Sequence, residues 1–407
     1  MMRIAVRKTE EAVGRLCSVS GWNSETSICS SLDSTSVQPT LETPLCMLYT
    51  IAGHLPHMTR DAAEIAGVIP ENAVYELTIP TLVDSLSLVK NAPAEADDQM
   101  RGVSRFLGLP KSALTYLTYA EPAVHLQPGY NDKSSISVFN RAGRRRIDYS
   151  LFDNIERTFR VNCMQSLADG DTPEDATTKR LIKAVERTGK FARKAVDIAS
   201  ELGCNLFISL TGGYSEKDRL LCIDEIKDLP CSGYVFDGFH SFGVLEKFQV
   251  SSISKLLTQS IHALPNDRLR VFPGALNPRQ ILELVKHGID LFDTSYTHIL
   301  SESYSALLVS NDVRASNDDL YTVVDLKDCS FARDLTPISN DCACYTCKNY
   351  KKAYLYHLWN TKELLGPILV NVHNLYQYLQ MFSNIRNRLK EETEIAGGDY
   401  TSVNLPK

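Results

Sequence analysis

The 407-residue chain predicts an α/β fold: a (β/α)8 barrel with a metal-binding subdomain near its C-terminal end. Three observations predict it. Apolar strand patterns alternate with amphipathic helical patterns through the middle of the sequence. Glycines stand where those strands finish. Late in the chain, three cysteines fall close together at positions 342, 344 and 347.

The first helix of the alternating region runs from about Thr178 to Leu202. It carries Leu181, Ala184, Val185, Ala192, Ala195, Val196 and Ala199 on one side, the spacing of a helix that buries one face. The apolar run Leu206 to Leu210 follows and stops at Thr211-Gly212-Gly213. Glu216 to Lys227 is the next helix, then the strand Gly233 to Phe239. Leu245 to Ala263 is the third, followed by Leu269 to Phe272. Pro278 to His287 is the fourth, followed by Ile289 to Asp293. Strands that are apolar throughout and separated by helices require a parallel sheet covered on both faces. Units of about 25–30 residues, with no G-x-G-x-x-G or P-loop pattern, favour a closed barrel over a doubly wound sheet. Earlier, Met47 to Ile51 and Val74 to Ile79 read as strands, and Glu95 to Gln99 as a loop.

This reading divides the chain into four parts. Residues 1–130 hold N-terminal strands and early barrel units, and 131–325 the remaining barrel units. Residues 326–391 form the zinc-binding subdomain and closing helices. Residues 392–407, with Gly397-Gly398, form a flexible tail.

Composition narrows the function classes. With 43% apolar residues the chain can bury a large core. Of 11 cysteines, those outside the cluster show no pairing pattern and read as reduced thiols of a cytoplasmic protein. The N-terminus has no signal-type apolar core, and no apolar stretch approaches the ~20 residues of a membrane span. A net charge of −6 argues against a general nucleic-acid binder. Local basic clusters remain as docking points: Arg141 with Arg144, Arg145 and Arg146; Lys348 with Lys351 and Lys352; and Arg386, Arg388 and Lys390. For any one of them, a solvated face is the commoner explanation.

The segment Asp341-Cys342-Ala343-Cys344-Tyr345-Thr346-Cys347 offers three thiols to one point, and His373 supplies an imidazole from a later segment. Cys342, Cys344, Cys347 and His373 form the ligand set of a closed, structural Zn2+ site, one ion per chain. His373 is expected just ahead of its helix, free to turn back toward the thiols. His357 is the rival fourth ligand, but it lies within a helical run. A disulfide would leave one thiol of the three unpaired, and an iron–sulfur cluster would need Cys329 as its fourth ligand.

Beyond the thiols, the run continues through Asp325-Leu326-Lys327-Asp328, Phe331-Ala332-Arg333-Asp334, Pro337, Lys348-Asn349-Tyr350, Ala353-Tyr354-Leu355, His357-Leu358, Glu363-Leu364-Leu365-Gly366 and His373-Asn374-Leu375. In this order and spacing the chain resembles the tRNA-guanine transglycosylase family, over about residues 130 to 390. Gly288-Ile289-Asp290-Leu291-Phe292-Asp293 is similar to the segment around that family's catalytic aspartate, and Thr211-Gly212-Gly213 to its base-binding turn. The resemblance implies a TIM barrel with a zinc subdomain. The implied activity is exchange of guanine for queuine at the wobble position of tRNAs with GUN anticodons, those for aspartate, asparagine, histidine and tyrosine.

The departures from the catalytic pattern carry equal weight. No Ser-Gly-Gly-Phe-Gln occurs in the chain. The family's Phe-Asp-Glu-Cys reads Met164-Gln165-Ser166-Leu167-Ala168, and its Cys-Val-Leu-Pro-Thr-Arg reads Thr294-Ser295-Tyr296-Thr297-His298-Ile299. Without the groups that orient guanine, Asp293 reads as a remnant of the nucleophile position, and no catalytic residue is expected. The resemblance then implies a non-catalytic subunit of a heterodimer, reaching tRNA through its catalytic partner. Pairing is expected through the helices holding Tyr350 to Leu365 and Leu375 to Leu389. Peripheral association with the mitochondrial outer membrane is also implied. Two alternatives stand beside it: a self-sufficient transglycosylase with Asp293 as nucleophile, and a zinc-stabilised RNA-binding adaptor.

Overall fold

A computed structural model describes residues 2–7, 14–22, 40–91, 102–125, 131–239, 248–310, 320–395 and 401–402. The first three strands, β1 (Arg3–Arg7), β2 (Leu16–Ser20) and β3 (Leu41–Thr43), form an antiparallel sheet. Then come β4 (Leu45–Tyr49), β5 (Val74–Thr78) and β6 (Leu114–Thr118), followed by an antiparallel hairpin of β7 (Ser135–Asn140) and β8 (Gly143–Asp148). The next five are β9 (Cys163–Gln165), β10 (Asn205–Leu210), β11 (Gly233–Phe236), β12 (Leu269–Val271) and β13 (Leu291–Asp293). A second hairpin, β14 (Ser305–Val309) with β15 (Tyr321–Asp325), and the short β16 (Thr401–Ser402) complete the strands.

Eight parallel strands close the barrel in the order β4-β5-β6-β9-β10-β11-β12-β13, and β13 returns to β4 through Leu291 opposite Leu45 and Asp293 opposite Met47. The expected (β/α)8 barrel is therefore present. The long helix Thr178–Leu202 has the expected bounds. Thr177 caps its first turn by accepting from the Arg180 N–H, and Gly203 ends it in the left-handed region at φ +68°. The third expected helix begins at Val250; its proposed first turn, and the loop expected at Glu95 to Gln99, lie outside the described residues.

The N-terminal sheet was not foreseen. It plugs the barrel from below, where Met2, Ile4, Val19 and Trp22 pack with Met47, Phe207, Leu269 and Leu291 from the starts of the barrel strands. Buried Arg15 fixes it there through a bidentate pair to Asp290, with contacts of 2.7 and 2.6 Å.

A second apolar core lies outside the barrel. It joins Tyr304, Ala306, Leu326 and Ile338 to the three cysteines and to Leu355, Leu358, Leu369 and Val370. It thus begins ahead of residue 326, because the hairpin β14–β15 contributes to it. The last helix, Leu365–Ile395, runs through both cores. Leu369 and Val370 face the second, whereas Leu375, Tyr378, Met381, Phe382, Ile385 and Leu389 pack on the barrel. Of the stretch Leu375 to Leu389 expected at a dimer contact, these six side chains are covered by the barrel, whereas Tyr376 and Leu379 are half-buried and Gln380 is exposed.

The flexible tail expected from residue 392 is also corrected in part. The helix continues to Ile395 with Thr393 buried, and Thr401 and Ser402 pair with Val6 and Ala5 on the edge of β1.

Candidate metal centre and barrel mouth

Cys344 is the N-cap of the short helix Tyr345–Asn349, and its sulfur accepts the Cys347 N–H at 3.3 Å. This turn places the three sulfurs around one point. Nδ1 of His373 lies 3.6, 3.5 and 3.4 Å from the sulfurs of Cys342, Cys344 and Cys347. A tetrahedral Zn2+ with ordinary Zn–S and Zn–N bonds sets the S···N edge at about 3.6 Å, so the donors fit the ion. All four residues are buried.

Nε2–H of His373 donates to the Leu307 carbonyl at 2.8 Å, which turns Nδ1 toward the sulfurs as a candidate metal ligand. Burial opposes charge on this imidazole, yet side-chain hydrogen bonds to Cys342 and Cys347 lift it to about 9. Hydrogen bonds from the Cys344 and Cys347 thiols hold Cys342 below the usual thiol range.

His373 is not ahead of its helix, as the sequence suggested. It lies in the third turn of Leu365–Ile395. Pro367 falls in the first turn, where a proline removes only an N–H that has no intrahelical acceptor. The helix therefore starts earlier. His357 is exposed on the helix Lys352–Asn360, its ring against Tyr354 at 6.2 Å. Cys329 is exposed and stands outside the ligand group.

At the C-terminal end of the barrel strands, polar groups are spent on one another. Asp293 is buried: Oδ2 accepts the Gly274 N–H at 2.9 Å, and Oδ1 accepts the Ser295 N–H at 2.9 Å and its hydroxyl. Burial raises its carboxyl to about 6 against those bonds. Gln165 donates to Ser209 at 2.9 Å, and Ser166 Oγ accepts the Ser209 N–H at 3.0 Å. The turn at Gly212-Gly213 is tight enough that a Cβ on Gly212, at φ +127°, would meet the Arg219 backbone nitrogen at 2.6 Å.

Sequence reasoning missed two occupants of this region. Arg219 is buried with its guanidinium 3.6 Å above the Phe239 ring, donating to the carbonyls of Gly213 and Asp237 at 2.7 and 2.9 Å. Glu121 accepts from the hydroxyls of Tyr49 and Thr78, and burial lifts its carboxyl to about 7. Neither residue lies in a local motif, so only the folded arrangement reveals them.

The basic clusters are largely neutralised. Arg145 pairs with Asp84 at 2.6 Å and Arg146 with Asp132 at 2.7 Å, while Lys390 pairs with Glu42 at 2.6 Å. Near the metal centre the surface is aromatic instead. Tyr345, Tyr350, Tyr354 and His357 form a ladder with successive centroid spacings of 6.1, 5.6 and 6.2 Å. Beside it Tyr354 and Trp359 are each 41% exposed and Leu364 is 81% exposed. Among the described residues no helix is long and apolar enough to cross a membrane.

The family model described as Queuine tRNA-ribosyltransferase matches residues 31–395, farther toward the N-terminus than the motifs alone reach. Proteins named queuine tRNA-ribosyltransferase accessory subunit 2 are similar along most of the chain. That of Caenorhabditis elegans is 33% identical over 391 residues, covering 96% of this chain and 99% of the relative. That of Ixodes scapularis is 32% identical over 362 residues, covering 85% and 89%. That of Drosophila melanogaster is 31% identical over 359 residues, covering 87% and 84%.

Proposed function

The chain belongs to the queuine tRNA-ribosyltransferase family, and from that premise we propose that it is the accessory, non-catalytic subunit of such an enzyme. It pairs with a separate catalytic subunit, and the complex exchanges guanine for queuine at the wobble position of tRNAs with GUN anticodons. The observation that carries this reading is the state of Asp293. A carboxylate nucleophile needs a lone pair aimed at the ribose carbon. Here both oxygens accept bonds from Gly274 and Ser295 inside the fold, which supports the remnant reading.

Zn2+ at Cys342, Cys344, Cys347 and His373 has a structural role. Four protein ligands leave it no position for substrate, and the ion ties the cysteine turn to the last helix. The aromatic ladder and its exposed neighbours Trp359 and Leu364 support the helix Lys352–Asn360 and the following turn as the surface that meets the catalytic subunit. Apolar aromatic groups left in water near a packed core are typical of such contacts. Peripheral residence at the cytoplasmic side of the mitochondrial outer membrane accompanies this reading, with tRNA reached through the complex.

The test is reconstitution with the catalytic subunit of the same source. The two chains should co-purify, and only the mixture should incorporate labelled queuine into GUN-anticodon tRNA. Robust exchange by this chain alone would replace the proposal with the self-sufficient enzyme. Full activity of the partner alone would remove the need for a subunit.

A further inference from the structure

We propose that His57, His298 and Glu302 form a second metal site, at the mouth of the barrel, suited to a zinc-class divalent cation. Their donor atoms lie within 4.8 Å of one another. His298 and Glu302 are four residues apart on the helix Ser295–Glu302, so they project from one face. His57 reaches them from the loop after β4, and its Nε2 is 3.0 Å from Glu302 Oε1. The three residues therefore bridge the seam where β13 closes on β4, on the face where barrels of this kind carry their sites.

An ordinary histidine–carboxylate pair accounts for less of what is seen. His298 turns a buried Nδ1 that finds no hydrogen-bond partner among the described residues, and the His57 Nε2 contact with Glu302 lacks hydrogen-bond geometry. The buried His298 Nδ1 without a hydrogen bond is costly, and a cation shared with His57 Nε2 and Glu302 would satisfy it. His57 sits at φ +63°, a strained conformation for a residue with a side chain, and Asn371 Nδ2 donates to the preceding Pro56 carbonyl at 2.7 Å. Zinc bonds place such donors about 3.3 Å apart, a closure reached by side-chain rotation because Glu302 is 57% exposed. Two histidines and one glutamate leave a fourth position open to water or an anionic oxygen, unlike the closed sulfur site.

The test uses the full chain with its Cys3His site already filled, dialysed against buffered Zn2+ and analysed by mass spectrometry for metal. Wild type should take up a second equivalent that mild chelation removes first. Co2+ added to the same protein should give visible bands without sulfur-to-cobalt charge transfer. His298→Ala and His57→Ala should lose the second equivalent while keeping the first and their melting temperature. Glu302→Gln, a change at an exposed side chain, should weaken uptake at least about tenfold. A wild-type chain that binds only the first equivalent would overturn the proposal, as would uptake unchanged in Glu302→Gln and the His57→Ala/His298→Ala double variant.

Discussion

His373 donates Nε2–H to the Leu307 carbonyl at 2.8 Å and thereby turns Nδ1 toward three sulfurs. Leu307 lies on β14, His373 on the last helix and the sulfurs on the cysteine turn, so one imidazole joins three segments distant in sequence. The bond also holds the ring in place before any ion arrives.

The first prediction follows from that junction. Purified protein should contain zinc near one equivalent at the sulfur site, and Cys344→Ser or His373→Ala should lose it. Structural zinc binds with about 10–16 kcal/mol of apparent free energy, as large as the stability of a whole domain. Either variant should therefore melt the second core, seen as lost solubility and an early thermal transition. Iron in the native protein would contradict the assignment.

Asp293→Asn separates chemistry from support. Exchange by the folded two-subunit complex should change by no more than about twofold. The amide would place a donor against the Gly274 or Ser295 donors, so stability should fall by about 1–3 kcal/mol. Single-turnover assays scaled to folded protein distinguish the two effects. A loss matching that of the partner's own nucleophile variant would return Asp293 to catalysis.

Glu121 gives stability a pH dependence. Its carboxyl is raised from 4.5 to about 7 by burial, so the folded state holds the proton more tightly than the unfolded chain. Its stabilising contribution is full below about pH 4.5 and is lost as pH rises through about 7. The melting temperature of wild type minus that of Glu121→Gln should fall between pH 5 and 8. A flat difference would show that the shift is absent.

Tyr354→Ala and Trp359→Ala test the aromatic surface. Both side chains are 41% exposed, so folding and zinc content should be retained. Truncating aromatic anchors at an interface costs more than about 1 kcal/mol each, and association with the catalytic subunit should weaken about tenfold per variant in sedimentation. Unchanged association of the double variant would move the contact elsewhere.

Much of this was readable in the chain before folding. Thr178 to Leu202 announced itself because its apolar side repeats at helical spacing. The thiols announced themselves because three of them fall within six residues, a spacing that lets their sulfurs face one point. The N-terminal sheet did not: its short strands gain stability only by covering the barrel floor, where Arg15 meets Asp290 across the whole chain. His57, His298 and Arg219 were equally silent, since their partners are set by barrel closure. His373 was placed ahead of its helix, whereas that helix already begins at Leu365 and accepts Pro367 in its first turn.

The last helix gives the metal centre a longer reach than its ligands suggest. Asn371, two residues before His373, accepts from the Ser301 hydroxyl at 3.2 Å as well as anchoring the Pro56 carbonyl. The rim loop at residues 54–58 thus hangs from a helix whose register an ion at the sulfur site would pin. Stripping that ion should loosen a loop on the opposite side of the helix, and amide exchange there should quicken after chelation even while the barrel strands stay protected.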